Sequence, residues 1–272
     1  MLSLINDFNA EVVATLLQGI AIAILPPGVI AAIVLNTVLL GVAWVLPKKL
    51  LTPSGYFNAW LLGVLIWATL GWQGYLVVMF YFLVGSFVTK IGMAQKEAEG
   101  IAEKRSGARG PENVWGSALI GALCALGAGI FTSSAFHPLF LLGYVASFST
   151  KLSDTCASEV GKAYGQRTYL ITTLQPVPRG TEGAVSLEGT VAGAVASVAQ
   201  ALVGFGVGLI NGLDVGWCIL AAFIATNIES VIGATLQSKY DWLTNELVNI
   251  LNTFIGAIAA MLFALLWLSV FS

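Results

Sequence analysis

The sequence predicts an all-α protein whose helices cross a membrane as one bundle. Hydrophobic residues make up 57% of the chain and charged residues 10%, whereas soluble domains are about 45–50% apolar and about 25% charged. The chain also has 30 glycines, which is typical of membrane helices that pack closely. Three long stretches carry no charged residue, and each is long enough for two helices of about 20 residues. They are Val12–Pro47, Leu50–Thr89 and Asn113–Thr150.

Each uncharged stretch has a break near its middle, which predicts a helical hairpin. The breaks are Pro26–Gly28, Gly71–Gly74 and Thr132–Pro138. Three further apolar runs follow, at residues 187–211, 214–233 and 246–270.

We therefore expect a polytopic bundle of about nine transmembrane helices, within a range of seven to nine. The first apolar segment contains Glu11 and Gln18, so an amphipathic helix on the membrane surface is the alternative for that segment. The N-terminus lacks a basic segment followed by a small-residue cleavage site, and we expect no signal peptide.

The 12 lysines and arginines predict the orientation. With nine spans and a cytoplasmic N-terminus, all of them fall on one side, and the opposite turns carry only His137 and Asp214. This asymmetry is a strong positive-inside signal, so the basic side is the cytoplasm or its stromal equivalent. We expect a plasma or thylakoid-type membrane, with the active site facing the cytoplasm.

We interpret residues 1–272 as a single transmembrane domain with two polar cytoplasmic loops, 90–113 and 151–186. Both loops mix acids and bases among glycines, whereas a topology signal needs only the bases. The mixture indicates that the loops form the cap of an active site. Ordinary solvated connections are the alternative.

One segment of the second loop has the composition of a metal site. If Ser153–Gly161 (SDTCASEVG) is helical, Asp154 and Glu159 each stack on a hydroxyl residue four positions away. Carboxylates with adjacent hydroxyls supply the oxygen ligands that Mg²⁺ prefers. Lys151 and Lys162 flank the segment and are candidates for phosphate binding.

A second segment, Pro178–Gly183 (PRGTEG), has the composition of a phosphate-binding loop. Arg179 supplies a positive charge, Thr181 a hydroxyl, and Gly180 and Gly183 let backbone N–H groups turn toward phosphate oxygens. The sequence contains no Walker A motif and no protein-kinase glycine-rich loop.

Three glutamates lie within or at the edge of the last three apolar runs: Glu188, Glu229 and Glu246. Acids inside a membrane are costly and usually face a cavity or a partner. The predicted topology places all three toward the basic side. Polar residues of the same helices either orient these acids or simply join helices; they are Asn227, Ser230, Asn249 and Asn252.

Four segments resemble the signatures of the phytyl-phosphate kinase family of integral membrane proteins, which includes transmembrane protein 19. The resemblance covers about residues 30–270. Where members commonly have tryptophan after Asp-Thr, this chain has Cys156, which lies outside the charged set. The four segments, in chain order, are Lys96–Arg105, Ser153–Gly161, Val177–Ser186 and Glu229–Gln237.

The resemblance implies transfer of the γ-phosphate of a nucleoside triphosphate, CTP, to a polyprenyl monophosphate such as phytyl phosphate. The diphosphate product would serve tocopherol and prenylquinone synthesis, and Mg²⁺ is the expected cofactor. The catalytic assignments are Asp154, Glu159 and Lys151. The Mg²⁺ ligands are Asp154, Glu159 and Glu229. The residues assigned to nucleotide or acceptor phosphates are Lys162, Arg179, Gly180, Thr181, Gly183, Lys96, Arg105 and Arg109. The residues assigned to support the site are Glu188, Asn227, Ser230, Asn249 and Asn252.

Two other functions remain open at the level of sequence. A CTP-dependent polyprenol kinase or lipid cytidylyltransferase would use a related cytoplasmic site. A secondary transporter would also have glycine-rich helices and intramembrane acids. The net charge of −2 argues against a nucleic-acid partner, and the glycine-rich faces permit a homodimer.

Overall fold

The structure, a computed structural model, describes residues 27–45, 50–237 and 239–271. It is a bundle of α-helices, as predicted, with one short β-ribbon that the sequence did not predict. The first apolar segment lies outside the described residues. The helices are α1 (Pro27–Val45), α2 (Pro53–Thr89), α3 (Met93–Ala98), α4 (Pro111–Ile130), α5 (His137–Tyr164), α6 (Leu187–Gly206), α7 (Gly212–Ile232) and α8 (Asn245–Phe271).

Helix α2 folds back on itself, which confirms the predicted break at residues 71–74. Its 37 residues are interrupted at Gly71, where φ is 62° and ψ is −156°, a conformation open mainly to glycine. Gly55 lies against the Arg109 carbonyl and Gly85 against the Arg109 guanidinium group. A straight helix would hold these two glycines about 45 Å apart. The halves 53–70 and 72–89 therefore form a hairpin.

Six helices of the described ranges are long and apolar enough to cross a membrane: α1, α2, α4, α6, α7 and α8. Because α2 is a hairpin, it supplies two passes. Helix α5 has 28 residues, but its second half is too polar for the helix to qualify as a membrane span by composition. The total of nine spans and the side of the N-terminus stay predictions.

Helix α5 lies at the centre of the bundle and packs against α2, α4, α6, α7 and α8. Glycines on its neighbours allow close approach: Gly121 lies against Phe148, Gly204 against Val145, and Gly256 against Thr150. Close backbone approach through small residues is how membrane helices gain packing energy. Large apolar side chains on the outer faces remain exposed, as lipid contact requires. This packing buries the polar second half of α5.

Residues 151–164 are the last turns of α5, whereas the sequence suggested a loop from 151 onward. The helix continues because its charged side chains find partners on neighbouring elements. The loop itself is residues 165–186, which contain strand β1 (Thr168–Leu170) paired antiparallel with strand β2 (Ala184–Ser186). A 3₁₀ turn (Lys104–Gly107) and a π-helical turn (Gly233–Gln237) follow α3 and α7. These segments gather at one end of the bundle, hereafter the charged end, with Thr89, Pro111, Tyr164 and Asn245.

Candidate functional site

A cavity of about 530 Å³ opens at the charged end between α5, α6, α7 and the loop that contains the β-ribbon. Most of the sequence-predicted site residues line it. They are Arg109, Lys151, Asp154, Glu159, Lys162, Gly180, Thr181, Gly183, Asn227, Glu229, Ser230 and Asn249.

Two carboxyl groups from different helices meet in this cavity. Asp154 on α5 and Glu229 on α7 both line it and are close enough to interact electrostatically. Lys151 donates to Asp154 Oδ2 at 2.5 Å and to Asn249 Oδ1 at 2.7 Å. Asp154 is only 5% exposed, and a buried carboxylate needs such a partner. Lys151, which is also held by Asn249, thus fixes the carboxyl group of Asp154, and Glu229 lines the same cavity.

Glu159 has a different environment from the other two acids. It forms an ion pair with Lys96, and its other oxygen lies 3.7 Å from Lys162 Nζ. Lys96 is fully buried and also donates to the Thr89 carbonyl at 2.8 Å. Lys96 was expected to bind the acceptor phosphate or to close over the nucleotide, whereas in this geometry it joins α3 to α5.

The expected set of three metal-binding carboxylates is therefore divided. In the described ranges, no group of three or more His, Cys, Asp or Glu side chains is arranged to hold a metal ion. Asp154 and Glu229 face each other, while Glu159 is held by two lysines. A further acid, Glu182, lies near Glu229 and lines the cavity, and sequence reasoning did not select it.

The glycine loop lies on the end of α7. Gly183 has φ 75°, and a Cβ there would lie 2.5 Å from both the Ser230 carbonyl oxygen and the Ala234 side chain. Only glycine therefore fits this position. Gly233, at the start of the π-helical turn, lies against the Gly183 backbone. Such turns are frequent at functional sites. The loop can pack this closely on α7 because glycines, Gly183 and Gly233, lie at the contact on both sides.

Arg109 reaches the cavity from the start of α4. Its Nη1 donates to the Tyr81 hydroxyl at 2.6 Å, and the guanidinium lies 5.1 Å from the Tyr81 ring centroid. It also lies 5.8 Å from the ring of Phe82. The aromatic contacts hold the charge in place through cation–π attraction, and no carboxylate among the described residues is in salt-bridge contact with it.

Two arginines that were expected to bind phosphates lie outside the cavity lining. Arg105 pairs with Glu112 and donates to Asn113 Oδ1 at 2.9 Å. Arg179 pairs with Glu99 at 2.6 Å. Both arginines are thus neutralised by acids of the loop 90–113, which the sequence could not pair in advance.

Two of the supporting residues also lie away from the cavity. Glu188 accepts a hydrogen bond from the Gln166 backbone at 3.3 Å. Asn252 is fully buried about one turn below Asn249, and neither of its amide atoms has a hydrogen-bond partner in the described part of the chain.

The sequence analysis did not select several of the residues that line the cavity. Glu182 lies within the Pro178–Gly183 segment, so the sequence alone could have identified it as a candidate. Others had no distinguishing signal in the sequence; they are Tyr81, Glu103, Asn113, Thr190 and Thr226.

The fold and the site define a polytopic integral membrane protein with a polar cavity at one end, where acids and cations from distant segments meet. The family described as integral membrane protein DUF92 matches residues 36–257. The chain belongs to this family.

Curated relatives come from bacteria, plants and archaea. The chain is 67% identical to an uncharacterized membrane protein of Synechocystis over 85% of this chain and 90% of the relative. It is 51% identical to Protein VTE6, chloroplastic, of Arabidopsis thaliana over 78% of this chain and 65% of that protein. It is 30% identical to an uncharacterized membrane protein of Methanocaldococcus jannaschii over 79% and 86%. No solved structure matches the chain significantly.

Proposed function

We propose that the protein is a membrane phosphotransferase that converts a polyprenyl monophosphate, such as phytyl phosphate, into the diphosphate. The observation that carries this proposal is the cavity in which two facing carboxyl groups lie among cationic side chains and a glycine loop. The resemblance of four segments to the phytyl-phosphate kinase family and the similarity to VTE6 support the same activity. The product would enter tocopherol and prenylquinone synthesis.

The donor is a nucleoside triphosphate, for which we propose CTP. An oxygen of the acceptor phosphate forms a bond to the γ-phosphorus, and the bond from that phosphorus to the oxygen of the departing CDP breaks. The acceptor is largely dianionic at neutral pH, so it is already a nucleophile and needs no strong general base. Catalysis then consists of positioning and charge neutralisation.

The paired carboxyl groups suit Mg²⁺ bound to the triphosphate. Mg²⁺ typically uses one or two protein carboxylates together with substrate phosphates, so Asp154 and Glu229 suffice without Glu159. When bound, the metal would neutralise charge on the phosphates. Two neighbouring acids in one cavity repel each other, and a bound cation would offset that cost.

The chain's own groups would hold the phosphates as follows. The glycine loop of residues 180–183 would lie against the nucleotide, Lys162 would supply a counter-charge, and Arg109 would bind the acceptor phosphate. Lys151 holds Asp154 in place, with Asn249 as its second partner. The residues 90–113 and 165–186 then form the cap. We place this end on the cytoplasmic or stromal side of a plasma or thylakoid-type membrane.

The test uses purified protein in lipid nanodiscs with Mg²⁺ and CTP labelled in either the α- or the γ-phosphate. We expect γ-label to move to phytyl phosphate and no label to move to phytol. Asp154→Asn should abolish transfer while the protein stays folded, because Lys151 keeps its hydrogen bond to Asn249. Asp241→Asn, an exposed position outside the cavity, is the matched control and should leave transfer unchanged.

The remaining outcomes separate the other functions. Transfer of γ-label to phytol would identify a polyprenol kinase, and transfer of α-label to a lipid would identify a cytidylyltransferase. Absence of any transfer to either lipid would overturn the enzymatic proposal and favour a transporter.

A further inference from the structure

The cavity does not end at the charged residues. One stripe of α7 lines it from the charged end toward the opposite end of the helix, through Ser230, Asn227, Phe223, Leu220 and Gly216. These residues recur every three or four positions, so they share one face of the helix. From Ser230 to Gly216 the stripe is about 20 Å long.

The chemistry of the cavity changes along this stripe. Near the charged end the lining is polar, while Ile219, Leu220 and Phe223 make the deeper part apolar. The facing wall on α6 is built from small residues, among them Gly193 and Ala194. Small side chains there leave room between the two helices.

The apolar part is open to the side. Leu220 and Phe223 are 42% and 53% exposed, and Ala194 on the facing wall is exposed as well. Both helices are apolar enough to lie in a membrane, so this exposure is toward lipid. The opening therefore joins the hydrocarbon layer to the polar cavity without a passage through water.

We propose that this groove between α6 and α7 binds the isoprenoid chain of the acceptor lipid, which enters sideways from the bilayer. The inference rests on the proposed function, because the phosphate at the charged end sets where the chain begins. A long apolar chain with an anionic head matches the polar-to-apolar order of the lining. The length of the groove is similar to that of an extended phytyl chain.

Gly216 marks the far end of the groove. A Cβ built on this glycine meets no atom within 4 Å, so there is open space at the end of the groove for a larger side chain. Gly216 is thereby the residue that sets the longest chain the groove accepts.

The test compares Gly216→Trp with wild type on geranyl, farnesyl and phytyl phosphates. We expect the variant to lose kcat/KM for phytyl phosphate by about tenfold or more, as loss of pocket space does, and to keep wild-type kcat/KM for geranyl phosphate. Gly206→Trp is the control, because Gly206 also meets no atom within 4 Å and does not line the groove. An unchanged chain-length profile in Gly216→Trp would overturn the proposal.

A second measurement does not depend on turnover. A phytyl phosphate analogue carrying a diazirine on its terminal isoprene unit is photolysed with wild-type protein, and labelled peptides are mapped by mass spectrometry. We expect labelling at residues 216–223 and its loss in Gly216→Trp. Labelling confined to other helices would overturn the groove. If wild type transferred no phosphate to any chain length, the proposed function would fail, and this mapping would still decide whether the groove binds the chain.

Discussion

Asp154 and Glu229 illustrate what single residues contribute to this site. Asp154 is tied to Lys151 by an ion pair, whereas Glu229 lies against Asp154 and forms no salt bridge within the described residues. Replacing Glu229 therefore leaves the Lys151–Asp154 ion pair in place. A loss of activity in a Glu229 variant would therefore report on catalysis rather than on folding.

We expect Glu229→Gln to lower turnover by about 100-fold or more, the usual effect of removing one charge-stabilising group from an active site. The Mg²⁺ concentration for half-maximal rate should rise, because one of the two proposed carboxylate ligands is lost. Transfer assays at increasing Mg²⁺ measure both effects. Glu246→Gln, the same change at the same end of the bundle but outside the cavity, should retain wild-type rate and Mg²⁺ dependence. Equal rates in wild type and Glu229→Gln would remove the metal assignment.

Lys96 and Glu159 form the most buried ion pair of the charged end, with side chains 0% and 4% exposed. Lys96→Met should lower the free energy of unfolding by about 3–5 kcal/mol, because it leaves a buried carboxylate without its main partner. The double variant Lys96→Met/Glu159→Met should recover most of that loss. Unfolding in detergent measures both. The exposed Lys90→Met should change stability by less than about 0.5 kcal/mol, and a similar loss in Lys90→Met and Lys96→Met would contradict the role of the pair.

The sequence predicted site residues best where their spacing was local. Lys151, Asp154 and Lys162 lie on one helix near one another, and Glu229 stood out as an acid in an apolar run. The arginines were harder, because Arg179 is neutralised by Glu99, 80 residues away in the chain. The number of basic residues in a loop does not show whether an acidic residue of another loop pairs with one of them.

At the scale of elements, the hairpin in α2 could be predicted because a glycine pair interrupts an apolar stretch. The β-ribbon could not, since each strand has only three residues and no alternating pattern can develop. The second half of α5 was also difficult to predict from the sequence. Its charges suggested a loop, but contacts from α3 and α8 keep it helical and buried.

Two glycines of α6 test the packing of that helix on α5. A Cβ at Gly204 would lie 2.6 Å from Val145, while a Cβ at Gly206 meets no atom within 4 Å. Gly204→Ala should destabilise the protein by about 1–3 kcal/mol, because the stiff valine cannot move aside. Gly206→Ala should be neutral or slightly stabilising. Thermal unfolding of both variants in detergent makes the comparison, and equal midpoints would contradict the close approach of the two helices.

At the scale of the whole molecule, the bundle brings residues that are far apart in the chain to one end. Asp154, Gly183, Glu229 and Asn249 come from three helices and one loop, yet they line one cavity. The sequence indicated this convergence only through topology, because each of these residues falls on the same side once the spans are counted. It could not give the side-to-side order of the helices.

The predicted orientation is tested with single cysteines at exposed threonines on opposite ends, Thr132 and Thr172. The three native cysteines are buried and are first replaced by alanine. In intact bacterial cells a membrane-impermeant maleimide should label Thr132→Cys, whereas Thr172→Cys should react only after permeabilisation, since the proposed orientation places the basic end in the cytoplasm. The reverse labelling pattern would contradict the proposed orientation.

The most direct test of the whole account is a cryo-electron microscopy structure of the protein with Mg²⁺, a non-hydrolysable CTP analogue and phytyl phosphate. We predict that the triphosphate lies between the Asp154–Glu229 pair and residues 180–183, with the lipid phosphate beside Arg109 and in line with the γ-phosphorus. Density for the nucleotide away from these carboxylates, or for the two phosphates at opposite ends of the bundle, would contradict it.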